Sequence, residues 1–394
     1  MRPTAGAVGT LGKTTLLFAA VLAPFQAASI SPAIPELLAY FADQPNAAYL
    51  ARLVLVMPSI GIALFAPLAG AVIDRFGRRR FLMASITAYA ILGASGGLMN
   101  SLEALLVTRL LLGIAAGGTM TATVTLMGDY FDGPERQKFL GQRTAFVNFS
   151  AIAINLSGGL LASIDWRVPF FVFLAAFILV PLGLRSLPEP AVTAESRSGP
   201  RLRFADMPLA FIALVLVTTF VINIAFFFVP SQIPFYVRTL GYEGAQLGGV
   251  ALAASSLGIA LGSLLYHPVR ARVRQAASTF VPAAFLVVGG FTIVASADTL
   301  PQLMPGLTLA GLGFGIVNVN AIVWLMEGTP PAIRGRVVGG VTAAMMLGHF
   351  CSPLVSQPIA TAAGMPAIYL TGAVGLGLIG LGFALNALRP RPAR

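Results

Sequence analysis

Charge is scarce in this 394-residue chain, and that scarcity narrows the class of protein before any motif is read. Only 10% of residues are Asp, Glu, Lys or Arg, while 57% are hydrophobic; soluble domains carry roughly 25% charged residues. Folded in water, such a chain would expose far too much apolar surface, which excludes a large soluble enzyme. Cysteine is almost absent. Cys351 stands alone, so there is no intrachain disulfide and no cysteine-built metal site, and redox chemistry of the chain's own is not expected. Acids are outnumbered by bases, 14 to 25, for a net charge of +11. In a soluble chain that excess would point to nucleic acid. Here the basic residues fall between apolar stretches, so they read as topology determinants and contacts for anionic membrane lipid, with no nucleic-acid partner.

What the chain has in quantity is long apolar runs. A membrane crossing takes about 20 apolar residues at about 1.5 Å each. Twelve such runs fit between the polar breaks: residues 14–38, 49–71, 81–99, 103–126, 142–163, 168–186, 208–231, 243–266, 276–296, 302–325, 335–359 and 366–387. The first run contains Pro24, Pro32 and Pro35 and lacks a short apolar core with a small-residue cleavage site, so it reads as a span rather than a signal peptide. Twelve crossings return both termini to one side. All of the 25 basic residues except Arg52, Arg109, Arg167 and Arg238 fall on that side, which the positive-inside rule makes the cytoplasm. The longest internal polar break separates a six-span bundle over residues 1–187 from another over 208–394, with a cytoplasmic linker over 188–207. The expected fold is an all-α polytopic membrane protein of twelve transmembrane helices in two six-helix bundles.

Between spans two and three the chain reads Gly70, Ala71, Val72, Ile73, Asp74, Arg75, Phe76, Gly77, Arg78, Arg79, Arg80. This order of small residue, acid, base, glycine and basic cluster, in this loop of a twelve-span chain, resembles the cytoplasmic signature of the major facilitator superfamily of secondary transporters. The resemblance implies a cytoplasmic gate of Gly70, Asp74, Arg75, Gly77 and Arg78, with Asp74 in a charge and helix-dipole network and the glycines allowing a tight turn and close packing. The corresponding stretch of the second half, Gly262 to Arg272, keeps a glycine and bases but has no acid. It reads as a degraded echo, which gives Asp74 an asymmetric role. Span four contains Arg109, Gly113 and Gly117, similar to the family's pairing of a buried arginine with small residues. Span five ends with Gly158 and Gly159, resembling the motif of the family's exporters without its preceding Gly-Pro.

An arginine inside an apolar helix is costly unless it reaches the interface or faces a cavity, so Arg109 is read as an anion-binding group, a partner in proton exchange, or a structural residue. Proton coupling needs a group that changes protonation in a wet cavity. Glu36, after Pro32 and Pro35, and His349, the histidine within a span, are the other coupling candidates; ordinary surface acidity and an interhelical hydrogen bond are their plainer readings. Glu327 is a candidate for the cytoplasmic gate with Arg334 or Arg336. Polar residues deep enough to face a midplane cavity are Gln26, Asn148, Asn155, Asn223, Asn318 and Asn320. Gly113, Gly117, Gly158 and Gly159 are expected to serve helix packing or bending.

The expected function is secondary active transport by alternating access in a bacterial inner membrane. The resemblance to small exporters implies proton-driven efflux of a drug-like or amphiphilic molecule by a monomer, with no cofactor beyond the proton gradient. The alternative within transport is an importer or symporter of a small organic solute such as a sugar or organic anion, which Arg109 favours. A receptor on a transporter scaffold is a different class, marked by saturable binding without transport. An enzyme has no clustered nucleophile, base and oxyanion donor to support it.

Overall fold

The computed structural model describes residues 8–190, 208–273, 275–330 and 333–388. Among the described residues, twelve helices are long and apolar enough to cross a membrane: Thr10–Tyr40, Ala47–Phe65, Arg78–Leu98, Leu102–Tyr130, Gly133–Ala162, Val168–Ser186, Leu209–Thr239, Ala245–Ala271, Ala276–Ala295, Leu300–Gly328, Val337–Ala363 and Met365–Asn386. They are called spans 1 to 12 below. Helix is the form that satisfies every backbone N–H and C=O without water. Large apolar side chains such as Phe285, Ile178 and Leu378 stand on the outer surface, as side chains meant for lipid do.

Proline marks where two spans bend. Span 1 runs as helix to Ala28, passes through a 3₁₀ turn at Ser31–Ala33 and resumes as the short helix Ile34–Tyr40; Pro32 and Pro35 have no N–H to continue the ladder. Span 7 is interrupted at Phe227, between Leu209–Phe226 and Phe228–Thr239, just before Pro230 and Pro234. Span 5 begins at Gly133, nine residues ahead of the start expected from hydropathy, because its first turns are polar helix.

The chain divides into two compact units. One is Met1–Pro200 with Gly244–Gly249, the other Arg201–Glu243 with Val250–Arg394. Two points bear on the expected division: residues 191–207 of the linker lie outside the described residues, and the start of span 8 belongs with the first unit. The reason for the second lies in glycine packing. A Cβ on Gly159 would stand 3.0 Å from the Ala245 oxygen and from the α-carbons of Gln246 and Gly249, and Ala33, Ala162 and Ala245 are buried together beside them.

The two units repeat one packing scheme. In the first, span 1 packs on span 5, span 2 on span 4, and span 3 on spans 4 and 6; in the second, span 7 packs on span 11 and span 9 on spans 10 and 12. Small residues bring the partners into backbone contact. A Cβ on Gly113 would overlap the Pro58 carbonyl, and one on Gly117 would lie 3.3 Å from the Ile62 α-carbon. Spans 8 and 10 do the same, with Gly262 against the Leu312 carbonyl and Gly315 against that of Ile259. Where lipid removes the hydrophobic drive for association, such close approach supplies the dispersion that holds helices together.

Candidate functional site

The basic end of the first unit is a network of charge pairs built around a turn. Gly77 takes φ +88° between the helices Ala47–Phe76 and Arg78–Ser95, a conformation costly for a residue with a Cβ. Directly after it, Arg78 pairs with Asp129 at the end of span 4. Glu189, just past span 6, accepts hydrogen bonds from the backbone N–H groups of Arg79 and Arg80 at 3.0 and 3.2 Å, and its carboxylate lies 3.7 Å from Arg79 Nε. It thereby satisfies free donors at the positive end of span 3. Arg79 donates in turn to the carbonyl of Leu187 at 3.2 Å, and the Tyr130 hydroxyl donates to that of Pro188. Lys13 of span 1 meets Glu135 of span 5 at 3.0 Å. Among the sequence candidates, Arg75 is exposed beside the Phe76 ring. The side-chain surroundings of Gly70 and Asp74 lie outside the described residues.

Sequence reasoning missed Asp129 and Glu189. Asp129 sits in Asp-Tyr-Phe-Asp at the end of span 4 and Glu189 in Pro-Glu-Pro after span 6. An acid flanked by helix-ending residues at the basic end of a bundle was the available signal.

The second unit has its own version of this arrangement, with the acid supplied from elsewhere in the chain. Arg270, ending span 8, donates to Glu327 at 2.7 Å, and Glu327 accepts from the Ala276 N–H at 3.2 Å, at the start of span 9. Arg270 and a helix N-terminus engage Glu327, while the side chains of Arg334 and Arg336 lie outside the described residues. The echo is also less degraded than the loop alone indicates, because the acid missing from that loop arrives at the end of span 10, as Asp129 does at the end of span 4.

Deeper in, most of the polar candidates are committed to the protein. Arg109 is 1% exposed. Its Nη2 donates to the carbonyls of Leu92 and Gly93, both at 2.8 Å, and its guanidinium lies 4.9 and 5.6 Å from the ring centres of Phe170 and Phe173. It closes a helix end and is sealed by aromatic rings, and among the described residues it pairs with no carboxylate. Asn320 donates to the Ala276 carbonyl at 2.9 Å and accepts from the Tyr266 hydroxyl at 3.3 Å. This fastens span 10 to spans 8 and 9 and leaves no amide group for a solute. Asn223 donates to the Thr219 carbonyl at 2.8 Å, which turns its oxygen toward His349 Nε2 at 3.0 Å. The imidazole stacks on Phe227 at 4.4 Å and lies 5.7 Å from Phe226. Because that oxygen only accepts, the proton of the pair belongs to Nε2.

The remaining candidates are more open. Gln26 is buried in span 1 with its Oε1 unpaired, and the Ser29 hydroxyl one turn on is likewise buried and unpaired. Gly158 lies against that turn, where a Cβ would stand 2.6 Å from the Ser29 carbonyl. Asn155 is buried and donates to the Ala151 carbonyl at 2.8 Å; Asn148 and Asn318 are half-buried. Glu36 is half-buried on the short helix that follows the break in span 1. The structure thus brings His349 together with Asn223, and among the described residues it gathers no cluster of acids. Among the described residues no three His, Cys, Asp or Glu come close enough to hold a metal.

Comparison with known proteins agrees with this architecture. Residues 16–353 match the model of the Major Facilitator Superfamily. The chain is 26% identical to the cis,cis-muconate transport protein of Acinetobacter baylyi, over 82% of this chain and 79% of that one. It is 25% identical to the class D tetracycline resistance protein of Salmonella ordonez, over 92% and 93%. The crystal structure of a D-xylose-proton symporter shares the fold, with a TM-score of 0.74 at 15% identity and coverage of 96% and 97%. Twelve spans in two repeating units and a match over most of its length make this chain a member of the Major Facilitator Superfamily, a multi-pass membrane protein that moves small molecules by secondary active transport and is not an enzyme.

Proposed function

We propose that the protein imports small organic carboxylates in symport with protons, through alternating access and as a monomer. The observation that carries this reading is the sign of the buried charge. Among the described residues the buried basic side chains are Arg52, Arg109 and His349, and no Asp or Glu is buried with them. Buried arginines with no buried acid among the described residues favour an anionic solute and oppose a cationic drug. Muconate, named for the Acinetobacter baylyi relative, is a conjugated dicarboxylate of that class, and the rings of Phe226 and Phe227 around His349 suit a flat, unsaturated body. The basic end is placed in the cytoplasm, with both termini, by the positive-inside rule. There the pairs of Arg78 with Asp129 and of Arg79 with Glu189, together with Gly70 and Asp74, would act as the gate. Glu36 is the proposed proton carrier.

The second reading is efflux of an amphiphilic compound, favoured by the tetracycline resistance relative and the close packing at Gly158 and Gly159. Proteoliposomes discriminate the two. With acid outside, import by symport predicts accumulation of at least one carboxylate from a panel of cis,cis-muconate, benzoate, 3-phenylpropionate and succinate, abolished by a protonophore. Expulsion of a hydrophobic cation with no uptake of any acid would replace this reading with efflux. In a Glu36→Gln variant, accumulation is expected to disappear while exchange of internal for external solute persists. Accumulation at the wild-type level would remove Glu36 from the proton path.

A further inference from the structure

Near the basic end of the first unit three acids are paired, and one half-buried arginine is not. Asp129 is paired with Arg78, Glu189 with Arg79 and Glu135 with Lys13. Arg143 stands ten residues after Gly133 in span 5, about 15 Å along the helix axis, and among the described residues it forms no ion pair or hydrogen bond. Its Nε is enclosed with no acceptor, while the side chain as a whole is half-buried.

Its position on the helix decides what that means. At about 100° per residue, Arg143 shares a face with Phe139 and Phe146. Phe139 is buried against Phe131 at 4.5 Å, and Phe146 meets Phe18 of span 1 edge-on at 5.1 Å. Gly158, further along the same face, rests on Ser29 of span 1. The exposed residues Phe149, Leu156 and Leu160 occupy a different face. Arg143 is therefore turned into the bundle, where snorkelling along lipid does not account for it. An unpaired guanidinium in a membrane segment is costly unless it meets water or an anion. Arg109 also has unpaired nitrogens, but phenylalanine rings seal it at 1% exposure, whereas Arg143 is half-buried and its two Nη atoms are not among the enclosed ones.

We infer that Arg143 is the substrate-binding cation of span 5, holding one carboxylate of the transported anion through its two Nη–H groups. A bidentate pair of this kind fits the planar fork of arginine and not the point charge of lysine. The assignment rests on the organic-anion reading above and adds the residue that makes the selection.

The test uses full-length protein in proteoliposomes and whichever acid of the panel the wild type moves fastest, with its primary amide as a neutral competitor. Arg143→Gln is expected to raise KM for the acid by about tenfold or more, the loss of a charge-assisted hydrogen-bonded pair. It should also abolish the preference for acid over amide, with Arg143→Lys intermediate on both measures. A purely structural role would lower the folded yield and Vmax without changing that preference. Should the glutamine variant fail to fold, the lysine variant decides. Wild-type KM and wild-type acid preference in a folded variant would overturn the assignment alone. Failure of the wild type to move any acid of the panel would overturn the organic-anion reading and this assignment with it.

Discussion

Arg109 and Arg143 show how differently two arginines can settle in an apolar bundle. Both have enclosed nitrogens without acceptors, but Arg109 has two backbone carbonyls and two aromatic faces around it, whereas Arg143 is half-buried with no ion pair among the described residues. Their substitutions should separate accordingly. Arg109→Met removes the hydrogen bonds at the end of span 3, so it should cost about 1–3 kcal/mol of stability. This would appear as a lower thermal unfolding midpoint in detergent, with the folded fraction keeping its wild-type KM. A raised KM with an unchanged midpoint would instead make Arg109 a substrate contact. Arg109 was conspicuous in the sequence as an arginine within an apolar run. Its partners were not, because a backbone carbonyl can belong to any residue type. Arg143 was hidden for another reason: hydropathy starts span 5 at residue 142, so Arg143 stands at the very edge of the span and reads as one of the cytoplasmic topology residues. Asn320 misled in its own way. A buried amide reads the same whether it faces a solute or ties three helices together, and only the positions of Tyr266 and Ala276 distinguish the two.

At the scale of the element, acids close the helix ends of both units. Glu189 meets the start of span 3 and Glu327 the start of span 9, each with an arginine at hand. Glu327→Ala is expected to cost about 0.5–2 kcal/mol, the usual range for losing a helix N-terminal acceptor. Glu327→Gln should recover part of that, since its amide oxygen still accepts from the Ala276 N–H. Equal unfolding midpoints for the two variants would show that the cap contributes nothing beyond the ion pair with Arg270. The glycine contacts make a harsher prediction. Gly262→Val sets side-chain atoms against the Leu312 carbonyl, so purified variant should be aggregated or unfolded on size exclusion, while a monodisperse, wild-type profile would contradict the close packing of spans 8 and 10. The existence of all twelve spans was legible because lipid demands a long apolar run for each crossing. Their ends were less so. Span 5 continues through the polar stretch Gly133 to Gln142, where helix persists after the need for apolar residues has ended.

At the scale of the whole molecule, six spans repeated as two packing units account for a chain with so little charge. A division near residue 188 was suggested by the polar break there. The inclusion of Gly244–Gly249 in the first unit was not, because it depends on glycines 90 residues apart in the chain meeting at Gly159 and Gly249. The exporter motif at the end of span 5 was read from two glycines whose visible work is this contact, and packing does not set the direction of transport. The sign of the interior carries more chemistry: buried Arg52, Arg109 and His349 with no buried acid among the described residues. The most direct test is competition binding to purified wild-type protein, comparing each acid of the panel with its primary amide at pH 7. A carboxylate preferred over its amide by about tenfold or more, about 1.4 kcal/mol or greater, is the predicted result; equal affinity, or tighter binding of a matched amine cation, would contradict an interior built for anions.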